Sequence, residues 1–299
     1  MKGIILAGGS GTRLYPLTQV VSKQLQAIYD KPMIYYPLSV LMLAGIKDIL
    51  IITTREDSPL FKKQLGDGSR FGINISYEIQ EEPKGLAQAF TIGEEFIEDS
   101  PCAMILGDNI FYGDDFIKKL QTAKENASLG LATNFGKEVQ DPHRFGIMEL
   151  DSSHNIISVE EKPLRPKSKF AITGLYFYPN DVIEKAKLVR PSKRGELEIT
   201  SINKMYLTEK RLKAAILGGG YDWFDTGTFD AKLEAENFVQ GVQKRKGKII
   251  YCPEQIGYDL GYLEKEKLLE SANLMIKNDY GKYLEKVSER PPILMKKIK

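Results

Sequence analysis

Histidine and cysteine are scarce in this chain of 299 residues, with two of each and a single tryptophan. Cys102 and Cys252 form no CxxC pair and offer no disulfide framework, which suits a reducing compartment. His143 and His154 lie in polar stretches and, with two scattered cysteines, make no convincing zinc cluster. No GxSxG elbow is present, so the chemistry is not expected to depend on a serine–histidine machine. Charge of one sign is also lacking: 42 Lys+Arg stand against 40 Asp+Glu, which argues against a nucleic-acid-binding tail. No apolar run reaches membrane-spanning length, and the opening MKGIILAGGSGTRL is too short in its apolar part for a signal peptide. The expectation is a cytoplasmic protein with no membrane and no nucleic-acid partner.

What is there begins with alternation. Gly3–Ala7, Ile49–Thr53, Ile73–Ile79 and Ala103–Leu106 read as strands, and Met33–Leu43, Pro59–Leu65 and Leu86–Ile97 as helices between them. That order predicts βαβ units and a Rossmann-like α/β fold, its mixed but mainly parallel sheet flanked by helices. Beyond residue 129 the segments LGLATNF, FGIMEL, IISVEEK and AITGLYFY crowd together and predict an antiparallel extension. A helix over 228–245 and a strand at KIIYC (248–252) should follow, then two or three helices ending near Tyr280-Gly281. The tail PPILMKKIK is expected to be mobile.

The loop Leu6-Ala7-Gly8-Gly9-Ser10-Gly11-Thr12-Arg13-Leu14 follows the first strand. Its glycines let backbone N–H groups approach a phosphate. It ends in Arg-Leu, which excludes a Walker A loop, and Leu14 stands where a dinucleotide fingerprint needs a small residue. Arg13 strengthens the phosphate reading over that of an ordinary turn. Asp108 lies at the carboxyl end of AMIL, where ligands collect in open α/β sheets, and Asp225 sits in WFDTGT among apolar neighbours. Each alone could be a cap or turn aspartate. Together, two carboxylates with phosphate oxygens and water suit Mg²⁺.

GGSGTRLYPLT, SKQL and YDKPMIYYPL, followed by GDGS, GLAQAF, LGDNIFYG, EEKP, TGLYFY, RGELEIT, WFDTGT and NDYGKYL, resemble the sugar-nucleotide pyrophosphorylases, and within them the bacterial glucose-1-phosphate thymidylyltransferases. The likeness runs along nearly the whole chain. It implies a nucleotidyltransferase domain over 1–240, with a nucleotide-binding half (about 1–110) and a sugar-phosphate-binding half (about 111–240), and a C-terminal helical segment over 241–299. The implied reaction joins dTTP to glucose 1-phosphate, releases pyrophosphate, uses Mg²⁺ and supplies dTDP-sugar biosynthesis. Its nucleophile, a phosphate monoester with a second pKa of about 6, arrives mostly deprotonated, in keeping with so little histidine.

The resemblance also assigns residues. Arg13, Lys23, Asp108 and Lys162 form the catalytic set. Leu6, Gly8, Gly9, Gly11, Thr12, Arg13, Gln24, Gln80, Pro83, Gly85 and Asp108 surround the nucleotide, with Gln80 and Gly85 on the pyrimidine edge. Asn109, Gly146, Glu161, Lys162, Ile172, Gly174, Tyr176, Arg194 and Trp223 surround the sugar phosphate. Asp108 and Asp225 bind the metal, and the assembly is a homotetramer. The sequence departs from the family at Gln26, at Phe145 in place of a tyrosine and at Ser201 in place of an aspartate. It departs again at Gly219 and Asp114, where relatives carry an arginine and a histidine near a dTDP-rhamnose inhibitory site. A uridylyl- or cytidylyltransferase on the same scaffold remains open, since one methyl group is worth only about 1 kcal/mol. So does a non-catalytic nucleotide-sugar-binding subunit, although that reading should have lost part of the charged set.

Overall fold

The computed structural model describes residues 1–9 and 11–293. Its strands are β1 (Lys2–Leu6), β2 (Ala27–Ile28), β3 (Lys31–Pro32), β4 (Asp48–Thr53), β5 (Asn74–Ile79), β6 (Cys102–Leu106), β7 (Asn109–Gly113), β8 (Ala132–Glu138), β9 (Gly146–Leu150), β10 (Ile156–Glu161), β11 (Phe170–Tyr178), β12 (Leu212–Leu217) and β13 (Tyr221–Asp225). β5, β4, β1 and β6 pair in parallel, in that order across the sheet. From β6 the sheet continues antiparallel through β11 to β9 and β10, while β8 and β12 branch from β11. The result is a mixed α/β fold with a parallel centre.

The parallel strands are apolar throughout because both faces are covered. In β1, Ile4 and Leu6 enter one core cluster and Ile5 the other. Helix α1 (Tyr35–Leu43) is buried on all sides from Tyr35 to Met42, as a helix without a polar face must be. It lies between the sheet and the C-terminal helix α9 (Pro253–Asp259).

Four local readings change. The expected helix 86–97 is two pieces, α3 (Gln88–Ile92) and α4 (Glu94–Ile97), divided at Gly93, whose φ of -86° and ψ of 8° leave the helical region. KIIYC is not a strand. It has no sheet edge to join, and its side chains plug the gap between α8 (Phe229–Lys246) and α9, with Ile250 and Tyr251 against one cluster and Ile249 against another. Tyr280-Gly281 does not end the helices but opens the last of them, α11 (Asp279–Ser288), where the Asn278 side chain caps the Gly281 N–H at 2.9 Å. Strand β12 and the ribbon formed by β7 and β13 are also new, and each pairs with a segment distant in sequence that no local pattern reports. The mobility expected of the tail concerns mainly 294–299, which lie outside the described residues. Among the described residues no helix is long and apolar enough to cross a membrane.

Candidate active site

The chain turns back after β6 at Gly107-Asp108, and Asn109 opens β7. β13 pairs antiparallel with β7 so that Asp225 stands opposite Asn109. Thr226 locks the junction, its hydroxyl donating to the Asp108 carbonyl at 2.7 Å. Two carboxylates distant in sequence thereby become neighbours at the carboxyl edge of the sheet. Asp108 is 8% exposed and is ion-paired with Lys23, while Asn109 Nδ2 donates to its Oδ1 at 3.0 Å. Burial opposes charge on Asp108, yet the Lys23 ammonium and these hydrogen bonds hold its carboxyl below the ordinary value. Asp225 goes the other way: burial, then the Asp108 charge, raise it against the pull of Lys23, Arg13 and Arg144. Two close carboxylates that resist joint ionisation, one still rising in pKa, fit a divalent cation that would relieve both. Among the described residues no cluster of three or more His, Cys, Asp or Glu accompanies them, so substrate oxygens and water would complete such a site.

Two adjoining clefts meet at Asp108, and Asp225 lines the second of them. The first, about 470 Å³, is lined by Leu6, Gly8, Gly9, Arg13, Lys23, Gln24, Gln80, Pro83 and Gly85. Gly8 leaves the space that Gln80 occupies, since a Cβ there would meet Gln80 Oε1 at 2.6 Å. Gln80 Nε2 donates to Gln88 Oε1 at 2.8 Å, which fixes the amide. Gly85 adopts φ +119°, and a Cβ would strike the backbone of Leu197, so only glycine fits this crossing. Gly11 and Thr12 lie outside the lining of either cleft.

The second cleft, about 410 Å³, is lined by Asn109, Gly146, Glu161, Lys162, Ile172, Gly174, Tyr176 and Trp223. Trp223 Nε1 donates to Asn109 Oδ1 at 2.6 Å, tying this wall to the carboxylate pair. Lys162 follows β10 with φ +41°, held by its N–H to the Phe145 carbonyl at 3.1 Å. His143 Nδ1 lies 3.1 Å from the Pro163 carbonyl and fastens the same corner. Arg13, Leu86, Leu106, Asp108, Lys162 and Glu196 border both clefts.

Arg194, expected at the sugar phosphate, borders the first cleft together with Lys162 and is tied to Glu196 at 2.6 Å, with Glu198 and Glu161 at 3.4 and 3.6 Å. Several site residues escape a reading of the sequence alone. Arg144 approaches Asp225 at 3.9 Å, and Glu198 and Thr200 are buried in the second cleft, with Thr200 donating to Glu161. Burial, with Glu161 and Glu196 nearby, raises the Glu198 carboxyl against its bonds to Ser192 and Arg194. The run RGELE was the available signal. Phe145 packs on Trp223, ring centres 5.1 Å apart, with no polar atom to offer. Nothing in the structure explains Gln26, whose amide is buried without a partner.

A larger cleft of about 890 Å³ opens elsewhere, between the end of β7, α5 (Phe116–Ser128) and the segment joining α8 to α9. Asp114, Lys118 and Lys246 line it, and Gly219 does not.

The nucleotidyl transferase family model matches residues 2–241. A glucose-1-phosphate thymidylyltransferase of Neisseria meningitidis is 57% identical over 284 residues, 95% of this chain and 98% of its own. One from Mycobacterium tuberculosis is 48% identical over 290 residues, 97% of this chain and 100% of its own. A solved UDP-glucose pyrophosphorylase complexed with UDP-glucose superposes with a TM-score of 0.72 at 25% identity, covering 81% of this chain and 98% of that one.

Proposed function

Because the chain belongs to the nucleotidyl transferase family, among its glucose-1-phosphate thymidylyltransferases, and is therefore a nucleotidyltransferase enzyme, we propose that it transfers the thymidylyl group of dTTP to glucose 1-phosphate. The observation that carries the reading is the meeting of two clefts at Arg13, Asp108 and Lys162, so that two anionic substrates converge on one point. A phosphate oxygen of the sugar phosphate forms the new bond to the α-phosphorus, the bond to the bridging oxygen breaks, and pyrophosphate leaves in line. No side chain needs to take a proton from the nucleophile. The work is positioning and charge neutralisation.

In this reading residues 1–110 hold the nucleotide, 111–240 hold the sugar phosphate, and 241–299 form a helical appendage. Gly8 and Gly9 bring backbone to the triphosphate, while Arg13 and Lys23 stabilise the departing pyrophosphate. Gln80 and Gly85 read the pyrimidine edge. Lys162 and Arg194 hold the sugar's phosphate, and Glu161, Gly174 and Tyr176 border the sugar. Asp108 and Asp225 would hold Mg²⁺, whose charge when bound neutralises phosphate oxygens. A homotetramer in the cytoplasm completes the reading.

Pyrophosphate release with dTTP, UTP and CTP, each with glucose 1-phosphate and with or without a chelator, tests it. The expected order places dTTP first and abolishes activity on chelation. A preference for UTP or CTP would reassign the base, and no release with any of them would leave a nucleotide-sugar-binding protein. For dTDP-rhamnose, inhibition at least about ten-fold weaker than in relatives with arginine and histidine at these positions is expected. Losing one charge-assisted contact costs about 1.5–3 kcal/mol, and Asp114 adds like charge. Gly219→Arg should restore part of it in inhibition kinetics against dTTP; potent noncompetitive inhibition of the unmodified protein would mean that another basic residue, such as Lys118 or Lys248, supplies the contact.

A further inference from the structure

Three carboxylates crowd one guanidinium at Arg194, and they are not equivalent. Glu161 also accepts from the Thr200 hydroxyl, and Glu198, 7% exposed, accepts from the Ser192 hydroxyl at 2.8 Å. Glu196 makes the shortest contact with Arg194, at 2.6 Å, and among the described residues its carboxylate has no other partner. Its side chain and that of Arg194 are each 39% exposed, and it borders both clefts. A carboxylate oxygen there stands on Arg194 as a phosphate oxygen would.

The backbone of this loop does not depend on that pair. Ser192 N–H donates to the Glu196 carbonyl at 2.8 Å, Leu197 N–H to the Lys84 carbonyl at 2.6 Å, and Ala87 N–H to the Leu197 carbonyl at 3.1 Å. The Glu196 side chain can therefore leave while the loop keeps its place. We propose that Glu196 is a positioning residue that occupies Arg194 in the empty site and is exchanged for the sugar's phosphate. This rests on the assignment of Arg194 to that phosphate.

The test is a double-mutant cycle read by calorimetric binding of glucose 1-phosphate to nucleotide-free protein and by its KM at saturating dTTP. Glu196→Gln should tighten binding to the nucleotide-free protein by about two- to five-fold, the range open to a half-exposed ion pair. The KM at saturating dTTP should fall by a similar factor. In an Arg194→Gln background the gain should vanish. Unchanged or weaker binding in Glu196→Gln, beside weakened binding in Arg194→Gln, overturns the exchange alone. An equal gain without Arg194 overturns it too, since it marks plain charge repulsion. Unaltered binding in Arg194→Gln overturns the phosphate role of Arg194 itself.

Discussion

Where β6 ends, the charges are buried against the sheet, and around Lys162 and Arg194 they hang from loops. Lys23 and Asp108 are each 11% exposed at the side chain and face one another where β6 ends. Arg194 and Glu196 are each 39% exposed, and Lys162 sits on a left-handed corner. A buried pair is dear to break and holds its geometry without substrate. A half-exposed pair in water is worth about 0–1 kcal/mol and exchanges partners readily. In the proposed reaction the buried pair is ready-made for charge developing on pyrophosphate, and the exposed pair can trade carboxylate for phosphate.

The largest effect should come from breaking the buried pair. Lys23→Met leaves Asp108 buried and uncompensated, which should cost about 3–5 kcal/mol of stability as well as activity. Adding Asp108→Asn should recover much of the stability and none of the activity. Thermal unfolding of the two variants checks this, and a single variant as stable as the parent would show that the pair is not a fixed element. Next comes the exposed end. Lys162→Ala should lower kcat/KM for glucose 1-phosphate by about ten- to a hundred-fold, the value of a charge-assisted hydrogen bond, with little change in Tm. Calorimetric dTTP binding should stay near normal; an equal loss there would erase the distinction between the ends.

The smallest effect lies outside the cleft and gives the comparison a reference. Glu254, 1% exposed at the start of α9, accepts from the Tyr280 hydroxyl at 2.6 Å, and burial raises its carboxyl above the ordinary 4.5. The folded state then binds the proton more tightly than the unfolded one. Stability from this group is full below 4.5 and declines as pH rises toward the raised value. Glu254→Gln should remove that decline, so its Tm should gain on the parent's from pH 4.5 upward and then level off. A constant difference across that interval would mean that the buried carboxyl titrates normally.

The parallel centre of the fold was legible because β1, β4 and β6 are continuous apolar runs, and Asp108 because it follows one of them. The ribbon of β7 and β13 was not, since its pairing joins residues 109–113 to 221–225 and no local pattern carries so distant a partner. KIIYC misled for a related reason: apolar residues at strand spacing fill a gap just as well as they fill a sheet. Nothing local marks Arg144, because its partner Asp225 comes from far along the chain, whereas Glu196 and Glu198 lie in the run RGELE beside Arg194. Lys23 and Lys162 would have read as solvated charges without the family likeness.

The same ribbon sets how the chain tolerates changes in length. The two candidate metal carboxylates are spaced by ladder register, Asp225 opposite Asn109, and successive residues of a strand point to opposite faces. A single residue inserted or deleted within 221–225 would turn Asp225 from the cleft while leaving the composition of the site untouched. The three glycines just before it, Gly218 to Gly220, have open space around each Cβ position. Extra residues can be taken up there without moving the ladder, so a linker or tag spliced into that turn would leave the spacing of the carboxylates as it is.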